Sequence, residues 1–147
     1  MDKIIVDLQS AIVTGLGLLS LSEAFTVRRR YVPRVELKAL DSLILTVVPK
    51  SHPVTQATRG AMQRETSFDI GVQKRVTGTP DEELTQVDSL IGFCEELVSG
   101  IDFAMRNLVD GGSKLVELSY DPIVVPENLD EDRVFTGVVS VTYRNIG

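Results

Sequence analysis

The sequence has no tryptophan, one histidine, one cysteine and an aromatic content of only 5%. Each shortage removes a class of chemistry. So few rings leave little for a base-stacking or sugar-stacking surface. The lone cysteine, Cys94, rules out an intramolecular disulfide; set among apolar residues, it reads as a small core side chain in a reducing compartment. The lone histidine, His52, has no second histidine or nearby cysteine, so it makes no zinc spacing and anchors no serine–histidine–acid set. Basic residues are outnumbered, 15 Lys and Arg against 21 Asp and Glu. The resulting net charge of −6 argues against general nucleic-acid binding. Long apolar runs are missing too. Residues 8–22 fall short of the roughly 20 apolar residues of a spanning helix, and Gln9, Ser10 and Thr14 interrupt them. Asp2, Lys3 and Asp7 precede that stretch where an export signal needs a positive start. A soluble protein with no membrane partner is expected.

Phosphate-loop and calcium-loop patterns are absent as well. The acid pairs Glu82–Glu83 and Glu95–Glu96 are neighbours on a helix and diverge by about 100°, so they do not converge as a general acid and base would. No catalytic, metal-binding or cofactor-binding residues are expected. What is present is ordinary globular material: 147 residues, 43% apolar and 24% charged, enough for a single domain over 1–147 with one core.

The strongest pattern runs from Thr79 to about Leu108. Leu84, Val87, Ile91, Cys94, Val98, Ile101, Met105 and Leu108 recur at spacings of three and four, and Leu90 and Leu97 widen the stripe. Thr79-Pro80-Asp81-Glu82 reads as a helix start, with threonine as N-cap, proline at the first position and Glu82 closing a capping box. Gly111-Gly112 reads as the stop. Strands flank this helix, which makes it a core helix lying on a sheet rather than a coiled-coil seam.

The rest of the chain falls into alternating segments. Ile4, Ile5, Leu8, Ile12 and Leu19 predict a first helix from Asp2 to about Leu21, with Gly15 and Gly17 marking a kink or a close approach. Period-two alternation predicts strands over Ala24–Val32, Thr66–Thr77, Leu115–Tyr120 and Phe135–Arg144. Leu43–Val48, apolar at nearly every position, predicts a central strand covered on both faces. Val35–Ser42 is a polar connection. Residues 50–65 read as a long exposed loop or an extended hairpin arm, and loops of that length are usually functional. Residues 121–133 read as a loop carrying the acids Glu127, Asp130, Glu131 and Asp132. The expectation is an α+β, two-layer domain in the order α-β-β-β-α-β-β. Its sheet is mainly antiparallel, with short links pairing the first three strands antiparallel and an N-terminal and a long central helix packed on it.

Arg28, Arg29 and Arg30 admit three readings: a solvated strand face, a docking surface for an acidic partner or neighbouring subunit, or a phosphate site. The whole chain resembles the tail terminator (tail completion) proteins of tailed bacteriophages. Three segments carry the resemblance. They are Asp7-Leu8-Gln9-Ser10-Ala11-Ile12 leading to Phe25-Thr26-Val27-Arg28-Arg29-Arg30-Tyr31-Val32-Pro33; Phe68-Asp69-Ile70-Gly71-Val72-Gln73-Lys74 leading into the acidic helix start; and Phe135-Thr136-Gly137-Val138-Val139-Ser140-Val141-Thr142-Tyr143-Arg144. The resemblance implies a structural virion protein, not an enzyme, assembled with itself as a hexameric ring. Such a ring sits on the tail tube protein, stops tube growth and meets the head–tail connector or neck proteins. DNA passes through it without specific binding. The protein is then assembled in the host cytoplasm and ends in the tail or neck of the virion. On that basis Arg28, Arg30, Lys50, Arg59 and Arg64 become candidate subunit or tail-tube contacts, and Asp130, Glu131 and Asp132 candidate channel-facing acids.

Other readings stay open at this level. Head-completion and head–tail adaptor proteins of the neck share the texture. A small domain using Arg28, Arg30 and Arg59 to hold an anionic metabolite would exploit the affinity of guanidinium forks for carboxylates and phosphates. A cellular adaptor would expose the Leu84–Leu108 seam to a partner.

Overall fold

The computed structural model describes residues 3–33 and 37–146. The fold is α+β. The elements run α1 (Ile4–Gly17), β1 (Phe25–Arg29), a 3-10 turn (Leu37–Asp41), β2 (Leu43–Ser51), β3 (Val54–Thr58), β4 (Ala61–Arg75), α2 (Pro80–Ala104), β5 (Asn107–Leu108), β6 (Ser113–Tyr120), α3 (Pro126–Asp132) and β7 (Val134–Ile146). Seven strands form one sheet in the order β1-β2-β4-β7-β6-β5, with β3 extending the edge beside β4.

Period two explains the sheet's centre. In β4, Thr66, Phe68, Ile70 and Val72 are buried on the helix side, and its long neighbour β7 buries Phe135, Val139, Val141 and Tyr143 there. β2 sends Leu43, Leu45 and Val47 into that same core. Its Ile44 packs on the other face with Leu40 and Val134, so this strand is covered on both sides as its composition demands. Away from that corner the outer face is polar. There Ser140 donates to Asp69 (2.7 Å), Ser67 pairs with Thr142 (2.8 Å) and Gln73 donates to Thr136 (3.2 Å).

Helix α2 starts where expected, with the Thr79 hydroxyl accepting from the Glu82 N–H at 3.3 Å. The far end of the cap is closed by Gln86, whose amide accepts from Thr77 N–H and donates to Thr77 C=O. The buried face is Leu90, Phe93, Cys94, Leu97 and Ile101, rotated from the expected stripe. Leu84 is 63% exposed and lies outside that face. The helix ends at Ala104, not near Leu108. Met105 leaves helical geometry and stays buried, and the Tyr143 hydroxyl donates to its carbonyl at 2.7 Å. Gly111-Gly112 belongs instead to the β5–β6 hairpin turn, where Gly112 N–H donates to Val109 C=O.

Three other expectations change. The first helix stops at Gly17 rather than Leu21, and its expected start at Asp2 lies outside the described residues. Gly15 is a close approach, since a Cβ there would sit 2.9 Å from the Met105 methyl. β1 pairs parallel, not antiparallel, with β2 (Phe25 opposite Leu43 through Arg29 opposite Val47). The intervening 30–42 connection, only partly described, is long enough to carry the chain back to the same end, as a parallel pair requires. The 121–133 loop contains α3, whose start is marked by Pro126 and Glu127 in its first turn. The element order is therefore α-β-β-β-β-α-β-β-α-β, leaving out the 3-10 turn.

Candidate assembly surfaces

Residues 50–65 form the hairpin arm, and the reasons are local. Pro53 has no N–H to continue the β2 ladder, and the register slips between Pro49 and Ser51. Beyond that slip β3 replaces β2 as the partner of β4, from Val54 opposite Arg64 to Thr58 opposite Ala61. Gly60, at φ +86°, takes the left-handed turn position that a side chain would strain. The arm's base is fastened on both sides. The His52 imidazole bonds the Thr66 hydroxyl at 2.6 Å, Glu65 N–H donates to Pro53 C=O, and Arg144 grips the Glu65 carboxylate through Nε and Nη2 at 3.1 and 2.7 Å. All five residues of β3 are exposed. Val54 and Met62, on the helix-side face, present apolar surface to solvent, at 46% and 38% exposure.

The five candidate cations are spread over β1 and its end, the end of β2, the arm's turn and β4. Arg28 is half-buried on β1, and Arg30 follows that strand, exposed. Lys50, exposed at the end of β2, lies 3.9 Å from Asp69. Arg64 is half-buried on β4, and Arg59 is exposed at the arm's turn. Arg30 N–H donates to Val47 C=O, and Val47 pairs with Ile70. From Ile70 to Ala61 the strand runs about 30 Å at roughly 3.3 Å per residue. Arg59 therefore cannot join Arg28 and Arg30 around one small anion, and the metabolite reading loses its constellation.

Asp130, Glu131 and Asp132 are all exposed on α3, a short helix rather than a loop. The C-terminal end of α3 is pinned by Arg133, whose guanidinium donates to Gly78 C=O at 3.0 Å and lies 3.6 Å from the Glu83 carboxylate. The sequence reading passed over this pin, since nothing local pairs residues so far apart. It also passed over Gln9. That fully buried amide donates to Arg30 C=O and Val47 C=O at 2.9 Å and accepts from Arg29 Nε, locking α1 onto β1 and β2. Among the described residues, no three His, Cys, Asp or Glu side chains converge as metal ligands.

Cys94 is fully buried, as are Leu97 and Ile101 beside it, so the seam from Leu90 to Ile101 faces the core and only its Leu84 end is open to a partner. Desolvation by burial pushes the thiol from its ordinary 9.0 up to about 11; a Tyr120 hydrogen bond opposes this and the Glu95 charge adds to it. The folded state thus keeps the neutral thiol while the unfolded chain ionises from about pH 9. Stability from this group is fully present below pH 9 and is lost as pH rises from 9 towards 11. In urea unfolding at pH 8 and pH 10 this group should account for a loss of about 1 kcal/mol, added to what the half-buried Tyr120 and buried Tyr143 hydroxyls, also pushed up by desolvation, remove. Cys94→Ala should make that slope shallower.

No family model and no curated protein matches this chain. Among solved structures, a chain of the virion of a native gene transfer agent particle is similar over 99% of this chain and 100% of its own length. The identity is 14% and the TM-score 0.47.

Proposed function

We propose that this chain is a structural virion protein, not an enzyme, that forms a hexameric ring at the end of a phage tail tube. The ring stops tube growth and joins the tail to the head connector. The β3–β4 arm is the observation that carries this reading. A two-stranded hairpin has too little core to be held by its own packing. This one is fastened at its base, carries apolar Val54 and Met62 outward and buries none of β3. An element kept in that state fits a surface supplied by another protein. The sequence resemblance to tail terminators supports the same assignment and supplies the partners: further copies of this chain, the tail tube protein and the neck proteins. DNA passes through the ring, and the exposed acids Asp130, Glu131 and Asp132 face the channel, where like charge keeps the phosphate backbone from sticking.

A head-completion or adaptor protein of the neck would use the same arm, but against the head connector. Binding to isolated tail tubes separates the two. The wild-type chain is expected to cap tube ends. Arg59→Glu should leave stability within about 0.5 kcal/mol, as an exposed turn substitution does. It should weaken tube capping roughly 30-fold, the scale of an arginine at the centre of an interface. Undiminished capping by Arg59→Glu would remove the arm from the contact. Binding to head connectors but not to tubes would favour the adaptor assignment.

A further inference from the structure

We infer that successive copies of this chain join edge to edge, with β1 of one copy pairing antiparallel with β6 of the next. This deepens the ring reading and rests on it for closure. The sheet order puts β1 and β6 near opposite edges, since β5 covers only the Ser113–Lys114 end of β6. Among the described residues, 116–120 and 25–29 are thus two unpaired strand edges of equal length.

Direction and face both agree with this join. β1 runs parallel to β2, while β2–β4, β4–β7 and β7–β6 are antiparallel, so β1 and β6 run in opposite directions. A head-to-tail repeat that keeps the helix layer on one side therefore sets β6 antiparallel to the next β1. In the register that puts Arg28 opposite Glu117, Val27 meets Leu118, Thr26 meets Ser119 and Phe25 meets Tyr120. Every pair shares a face. Arg28 aligns with Thr46 and Glu117 with Thr142 on the outer face, whereas Val27 aligns with Leu45 and Leu118 with Val141 on the helix side.

The surfaces are complementary as well. Among the described residues neither Arg28 nor Glu117 has an ion-pair partner, so the outer faces of the two edges carry unmatched charges of opposite sign. On the helix side a groove of about 570 Å³, lined in part by Val13, Leu19, Leu21, Phe25 and Val27, lies along β1. Such a groove beside a free edge is the arrangement that strand addition uses, with the ladder giving affinity and alternate side chains filling the groove. Leu118 of the neighbouring copy occupies it.

The test uses the full chain in sedimentation velocity across concentration, with negative-stain imaging of the products. Glu117→Arg, an exposed position, and Arg28→Glu should each weaken self-association about tenfold or more, the scale of close charge pairs across an interface. The double reversal should return it to near wild type. A Thr26→Cys/Ser119→Cys variant should form a ladder of intermolecular disulfides on mild oxidation, and this readout stands even if Arg28→Glu fails to fold. Assembly that neither reversal weakens, without a Thr26→Cys/Ser119→Cys ladder, overturns the edge pairing and leaves the ring reading standing. Charge-swap rescue with open filaments in place of rings upholds the edge pairing and overturns the ring. A chain that stays monomeric at every concentration and forms no ladder overturns the edge pairing.

Discussion

Replacing residues 56–62 with Asn-Gly is expected to leave a folded chain that fails to cap tail tubes. The cut joins Thr55 to Gln63, which already face each other across the hairpin, and a two-residue Asn-Gly turn suits that separation. The fastenings at the base survive, because His52–Thr66, Glu65–Arg144 and the Gln63–Ile146 pairing all lie below the cut. Most of what is removed is exposed in the single copy, so the unfolding free energy should change by about 1 kcal/mol or less. Function should instead be lost outright, since the exposed Met62 and Arg59 are both gone from the arm. Co-sedimentation with isolated tubes measures this. A shortened chain that still caps tubes would show the arm to be dispensable.

Phe93→Ala has the opposite signature: large in stability, with no direct effect on the arm. Phe93 is buried on α2 and meets the Phe25 ring edge-on at a centroid distance of 5.7 Å. Truncating a buried phenylalanine costs about 3–5 kcal/mol through lost transfer energy and the cavity left behind. Against a total of about 5–15 kcal/mol this is a large share. For a chain of this length it should lower the melting temperature by about 10 °C. Phe103→Ala, on the same helix but 91% exposed, should move it very little. The comparison isolates burial from helix propensity, because the same exchange is made twice in one element. Equal melting shifts for the two would mean that α2 does not lie on the sheet through the Leu90–Ile101 face.

Much of this fold is readable in one dimension. The Thr79-Pro80 start of α2 is legible because caps are chemistry between residues three apart. The alternation of β4 and β7 is legible because each buries one face of a pleat along most of its length. The errors share a cause. Met105 and Leu108 keep helical spacing although the chain has left the helix, since spacing reports which residues are buried and not the backbone between them. The parallel pairing of β1 depends on the path of residues 30–42, which no periodicity encodes. α3 is too short for a period, and only Pro126 and Glu127 announce it. For the candidate contacts, the sequence names the charges and the fold sets how far apart they stand. Arg28 and Arg30 belong with a sheet edge and Arg59 with the arm's turn, a division that follows from the strand order alone.

The proposed role turns on whether copies of this chain close into a ring. The most direct measurement is negative-stain imaging with class averaging of the purified chain, alone and after mixing with isolated tail tubes. Closed six-fold rings with a central hole, free or seated on tube ends, are the expected result. Bare tube ends, with only monomers or open chains of subunits in solution, would contradict it.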